Sequence, residues 1–158
     1  IDGTTNFLNG VPHFCISIGL LIDNEIIAGV IYDPIKDEMF YAEKKGGSYL
    51  NNKSIRVSKK NKIFECLYGV NFRKNIPENM LIRNTGSAAL DLAYVSSGRF
   101  DGSMQKNVNL WDIAAGTILI KEAGGVVDNF ELKKFNKISI KASNERISGD
   151  LNTKINIF

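Results

Sequence analysis

The stretch FCISIGLLIDNEIIAGVIY, Phe14 to Tyr32, constrains the fold more than any other part of the chain. Two β-rich apolar runs are joined by Asp23, Asn24 and Glu25, which predicts a hairpin. Its near-continuous apolarity predicts that both faces are covered. A turn at Asp33-Pro34 leads to EMFYAE, KKGG turns the chain into SYLN, and NNK turns it again into SIRVS. The first half therefore reads as an antiparallel meander.

The period then changes. After an irregular middle with a strand at CLYGVNF and a polar connection from Asn75 to Asn79, GSAALDLAYVSSG places Ala88, Leu92 and Val95 at helical spacing. Ser87 is suited to cap that helix and Gly98 to end it. In WDIAAGTILIKEAGG, Trp111, Ala114, Ala115, Ile118, Leu119 and Glu122 lie on adjoining rows of a second helix, closed by Gly124-Gly125. Because those glycines follow the helix, EAGG reads as a helix end and not as a phosphate loop. Strands follow at VVDNF and ISIKAS, and a last helix begins after Asn144.

With 158 residues, 44% hydrophobic and 23% charged, the chain suits one soluble globular domain and excludes disordered and collagen-like classes. A net charge of +3 demands neither nucleic acid nor membrane as a partner. No apolar run approaches a membrane span, and the start lacks the build of a signal peptide. Cys15 and Cys66 have no metal or redox spacing and read as buried thiols, in keeping with a reducing, cytoplasmic setting. His13 reads as a packed or edge histidine, and NNKSIRVSKKNK, from Asn51 to Lys62, as a solvated hairpin edge protected by lysines.

Two acids stand where chemistry is expected. Asp112 lies at the start of the second helix, and Asp2 lies just before a Gly3-Thr4-Thr5 turn, so both stand beside backbone N–H donors that favour anions. Two carboxylates with a phosphate bridging to those donors would suit Mg²⁺, which prefers carboxylate, phosphate and water. Taken singly, Asp112 also reads as a helix cap and Asp2 as a turn residue.

IDGTTNF resembles the end of the D-P-[IL]-D-G-[ST]-x-[NF] motif of the inositol monophosphatase family, and WDIAAGTILIKEAGG resembles its second motif, W-D-x-A-x-G-x-x-[IL]-x-x-E-A-G-G. Between them, GSAALDLAYVSSGRFDG is similar to the substrate-pocket segment of the bacterial extragenic suppressor branch. The resemblance covers nearly the whole chain in the family's order. It implies an α/β (α+β) fold, a layered α-β-α-β-α sandwich that usually dimerises. It also implies Mg²⁺-dependent, lithium-sensitive hydrolysis of a phosphate monoester by two-metal water attack. Carried over by position, Asp2 and Asp112 are carboxylate metal ligands, and the carbonyl of Ile1 completes another metal site. The backbone of Gly3 and Thr4 holds phosphate, the Thr4 hydroxyl orients the attacking water, and Gly86, Ser87 and Ala88 line the place of the leaving alcohol.

The chain departs from the family at two places. The family's first motif begins upstream of Ile1 with another aspartate, and a metal-binding glutamate that pairs with the Thr4 position lies further upstream; neither is among these 158 residues. The start therefore reads better as a split gene, a decayed gene or a partial sequence than as a complete enzyme. With N-terminal helices absent, a bare sheet face and weakened metal binding are expected. Gln105 occupies the position of the family's glutamate that holds a substrate hydroxyl. The organisation implied is an antiparallel-sheet portion, 1–84, and a C-terminal α/β portion, 85–158, fused as one catalytic unit. The alternative function is an inactive remnant or binding module associated with RNA polymerase or ribosomal RNA synthesis, as in the suppressor branch.

Overall fold

The structure is a computed structural model, in which residues 1–128, 132 and 135–155 are described. Strands β1 (Ile16–Ile22) and β2 (Glu25–Asp33) form the expected hairpin, with Asp23 and Asn24 at φ 50° and 59°. Both residue types tolerate the left-handed backbone that a two-residue turn requires. β3 (Glu38–Glu43), β4 (Gly47–Leu50) and β5 (Lys53–Ser54) complete the meander in the order β1-β2-β3-β4-β5. SIRVS contributes only its first residue to β5; Ile55 N still donates to Ser48 O of β4, and two residues on Val57 N donates to Ala123 O.

A second sheet contains β6 (Leu67–Val70), β7 (Leu81–Arg83), β8 (Gly102–Val108), β9 (Gly125–Asp128) and β10 (Ile138–Asn144), in the order β7-β6-β8-β10-β9. Asn129 and Phe130 of VVDNF lie outside the described residues. β6 runs parallel to β7 and β8, and the other pairs are antiparallel. β8 is the central strand, yet its sequence GSMQKNV carries no apolar alternation. Its buried side chains include Ser103 and Gln105, because part of this strand forms the wall of a polar cavity.

The helices are α1 (Thr4–Leu8), α2 (Ala88–Ser96), α3 (Leu110–Glu122) and α4 (Glu145–Lys154). Ser87 Oγ accepts from Leu90 N at 3.2 Å to cap α2, and Asn144 Oδ1 accepts from Arg146 N and Ile147 N to cap α4. Gly124, at φ 82°, follows the end of α3, so EAGG is the helix end that its spacing predicts. Helices α2 and α3 lie between the two sheets, and α4 packs on the second sheet through Ile147 and Leu151. One core joins Ile31 and Phe40 of the first sheet, Leu92 and Leu119 of the helices, and Ile140 of the second sheet. The chain passes between sheets after β5, upstream of residue 84.

At the crossing of α2 and α3 there is no room for a side chain: a Cβ on Gly116 would lie 2.4 Å from Leu92 Cβ. That approach fixes α3, and with it Asp112, relative to α2.

The described layers are sheet, helices, sheet, helix. The first sheet is covered on its inner face, where Ile31 and Phe40 are fully buried. Its outer face shows Ile16, Ile18, Leu20 and Ile22, with Ile18 63% exposed. Cover on both faces, which the continuous apolarity of the hairpin predicts, is therefore met on one face only among the described residues. Since Ile18 is largely exposed, Ile18→Lys is expected to change stability by less than about 0.5 kcal/mol. It should lower self-association, measured by light scattering beside a melting curve.

Candidate active site

The start of the chain is bolted to the entrance of α2. Asp2 N donates to Cys15 O at 2.9 Å and Cys15 N donates back to Asp2 O at 3.0 Å. Asn6 Nδ2 then donates to His13 O at 2.7 Å and to Thr85 O at 2.9 Å. The Asn6 side chain is thus a strut between the start of the chain and the entrance of α2. Gly86 is required beside it, because its φ is 86° and a Cβ there would meet Asn6 Nδ2 at 2.8 Å.

This arrangement carries Asp2 to the N-terminus of α2. Its Oδ2 accepts from Ser87 Oγ at 2.6 Å and from Ala89 N at 2.7 Å. Asp112 stands in the first turn of α3, where its Oδ2 accepts from the backbone N and the Nδ2 of Asn109 at 3.1 and 3.2 Å. Asn109 therefore serves the start of α3 as its cap. Burial pushes the Asp112 carboxyl above the usual range; the Asn109 bonds oppose this and the charge of Asp2 adds to it. The two acids are close enough to repel, and a cation between them would relieve that repulsion.

A cavity of about 170 Å³ is lined by Asp2, Gly86, Ser87, Ala88, Gln105 and Asp112, with Val70, Asn71, Asp91 and Val108 completing its wall. Six residues singled out from the sequence thus meet in one place. Ile1, Gly3 and Thr4 adjoin Asp2 outside this lining; Thr4 is exposed, and its Oγ1 donates to Ile1 O at 3.3 Å. The amides of Thr4, Thr5 and Asn6 precede the first bond of α1, from Phe7 N to Gly3 O. A larger hollow of about 350 Å³ beside Ile26 and Ile118 has no aspartate in its lining.

The donors fit Mg²⁺ in kind: two carboxylates and a carbonyl, all oxygen. In number they fall short of a full shell, and among the described residues no three His, Cys, Asp or Glu side chains form a metal cage. His13 is a packed histidine, its ring 6.1 Å from that of Tyr94, and burial, followed by Lys36, lowers its pKa.

Sequence reasoning misses Asp91, whose signal was one acid inside the otherwise apolar run AALDLAYV. It is only 2% exposed, and Thr85 Oγ1 and Gln105 Nε2 donate to its two oxygens at 2.7 and 2.9 Å. Burial pushes its carboxyl up to about 7. The folded chain therefore keeps this proton where the unfolded chain has released it. Asp91 stabilisation is present below the ordinary carboxylate pKa and is lost as pH rises from about 4 to 7, by at most about 1.4 kcal/mol per pH unit. Asp91→Asn should remove that slope in denaturant titrations across this window.

The chain matches the inositol monophosphatase family over residues 1–156. An inositol-1-monophosphatase of Mesorhizobium japonicum is 42% identical over 146 residues, covering 83% of this chain and 55% of that protein. The Nus factor SuhB of Haemophilus influenzae is 40% identical over 146 residues, with the same two coverages. The crystal structure of the extragenic suppressor protein suhB from Bartonella henselae superposes with a TM-score of 0.87 at 41% identity, covering 97% of this chain and 68% of that one. The chain thus spans about half the length of the protein relatives it matches. Two aspartates at helix N-termini around one cavity, matched over nearly the full length, make this chain a member of the inositol monophosphatase family.

Proposed function

We propose that the cavity between Asp2 and Asp112 hydrolyses a phosphate monoester of the inositol 1-phosphate type by attack of water, with Mg²⁺ as cofactor. The observation that carries this reading is the convergence of Asp2, Asp112, Ser87 and Gln105 on one cavity. Asp2, Asp112 and the carbonyl of Ile1 would hold the metal. When bound, Mg²⁺ supplies Lewis-acid polarisation of the phosphate and lowers the pKa of water. The backbone of Gly3 and Thr4 binds phosphate oxygens, and the Thr4 hydroxyl orients the water that attacks. Gly86, Ser87, Ala88 and Gln105 bound the space of the leaving alcohol, and Asp112 closes its other side. Lithium inhibition and a homodimeric, cytoplasmic protein belong to the same reading.

Two carboxylates and a carbonyl leave most of the Mg²⁺ shell to water and substrate phosphate, and we expect low turnover from these 158 residues because the family's further acidic ligands are not among them. The test is phosphate release from myo-inositol 1-phosphate, with and without Mg²⁺, by the protein isolated from its own cells. Release that needs Mg²⁺ supports the proposal, and absence of release from this and related monoesters overturns it. The SuhB relative named a Nus factor favours a second reading, association with RNA polymerase. Retention of the protein on immobilised polymerase would support that association, and a free protein would oppose it.

A further inference from the structure

Gln105 is fully buried in the central strand β8, yet its Oε1 has no hydrogen-bond partner among the described residues. Its Nε2 is fully engaged, donating to Asp91 Oδ2 and to Ser103 Oγ, both at 2.9 Å. A buried acceptor without a partner costs free energy, and an amide can reverse to exchange its oxygen and nitrogen. Something must hold this one with the oxygen unsatisfied. Above about pH 7, where Asp91 is ionised and only accepts, its Oδ2 faces Nε2 and rejects Oε1. Asp91 is itself fixed, by Thr85 Oγ1 on Oδ1 and by the backbone of Gly69, where a Cβ would lie 2.5 Å from Asp91 Cγ.

We propose that Asp91 is a positioning residue for the cavity: its carboxylate turns the Gln105 amide so that Oε1 is the atom offered to the ligand. The site therefore selects an alcohol whose hydroxyl donates a hydrogen bond at this point. This rests on reading the cavity as the place of the leaving alcohol. It adds that the contact is acceptor-only and that its direction is set by a residue lying behind Gln105. In Asp91→Asn the new Nδ2 donates to Gln105 Oε1, Ser103 Oγ donates to the same oxygen, and Nε2 swings to face the ligand. The preference then turns from donor to acceptor.

The experiment uses NMR of the 158-residue protein at pH 8, where Asp91 is ionised in spite of the neighbouring charge of Asp2. In the wild type the Gln105 side-chain amide protons, assigned with Gln105→Met, are expected to exchange with solvent at least about tenfold more slowly than in Asp91→Asn. The ligand arm titrates myo-inositol and the monodeoxyfluoro-myo-inositols, whose fluorine cannot donate. One fluoro isomer should bind the wild type about tenfold more weakly than inositol does, the worth of one hydrogen bond, and Asp91→Asn should close that gap. Rapid exchange of the wild-type Gln105 amide overturns the proposal without any variant. Equal exchange in both proteins, or a gap that Asp91→Asn leaves unchanged, also overturns it. An amide that turns as expected in a protein that binds no polyol overturns the reading of the cavity as an alcohol site, and with it the selection of a donor, while supporting the positioning role of Asp91.

Discussion

Asp112→Asn is expected to lower Mg²⁺-dependent phosphate release at least about 100-fold while leaving the fold intact. The asparagine oxygen still accepts from Asn109 N, which now makes a 3.1 Å bond to Asp112, so α3 starts where it did. The negative charge is what disappears. Because Asp112 is half-buried and repelled by Asp2, its loss leaves the unfolding midpoint unchanged or raised. Measuring turnover and melting on the same preparation separates the two effects. A loss of activity that tracks a loss of stability would contradict the role given to Asp112.

Gly116→Val is expected to carry the largest stability cost. Its first added carbon would meet Leu92 Cβ at 2.4 Å, and Leu92 is fully buried, so neither helix can yield without opening the core. Overpacking of this kind costs about 3 kcal/mol, which for a chain of this size lowers the melting temperature by about 6–12 °C. The consequence reaches the site, since Asp2 is held on α2 and Asp112 on α3. Binding of Mg²⁺ should weaken even at temperatures where the variant remains folded. Gly116→Ala, with one carbon, should show the same direction at smaller size.

The sequence made the hairpin, α2 and α3 legible because their apolar residues repeat with the period of the element and their ends carry Asp-Asn, Ser and Gly signals. Ser87, Asn144 and Gly124 cap or close helices as their positions predict. β8 was not legible for the opposite reason: Ser103 and Gln105 are polar residues buried for the sake of a cavity, and that breaks the alternation of a strand. Nor was α1, a five-residue helix held in place by Asn6 bonds to His13 and Thr85, which no local pattern encodes. In the site, spacing gave two acids beside helix N-termini, and only the family resemblance gave their meeting. Asp91 escaped because a buried acid in an apolar helix means little until its partner Gln105 arrives from another strand.

Mn²⁺, a paramagnetic stand-in for Mg²⁺, tests most directly whether Asp2 and Asp112 together hold a cation. In NMR spectra of the protein titrated with Mn²⁺, the amide signals of Asp2, Gly3, Ala89 and Asp112 should broaden first, while those of Glu25 and Lys44, beside the larger hollow, stay sharp. Asp112→Asn should abolish that early broadening. Broadening that begins around Glu25 and Glu122, or that spreads evenly over the acidic surface, would contradict the account.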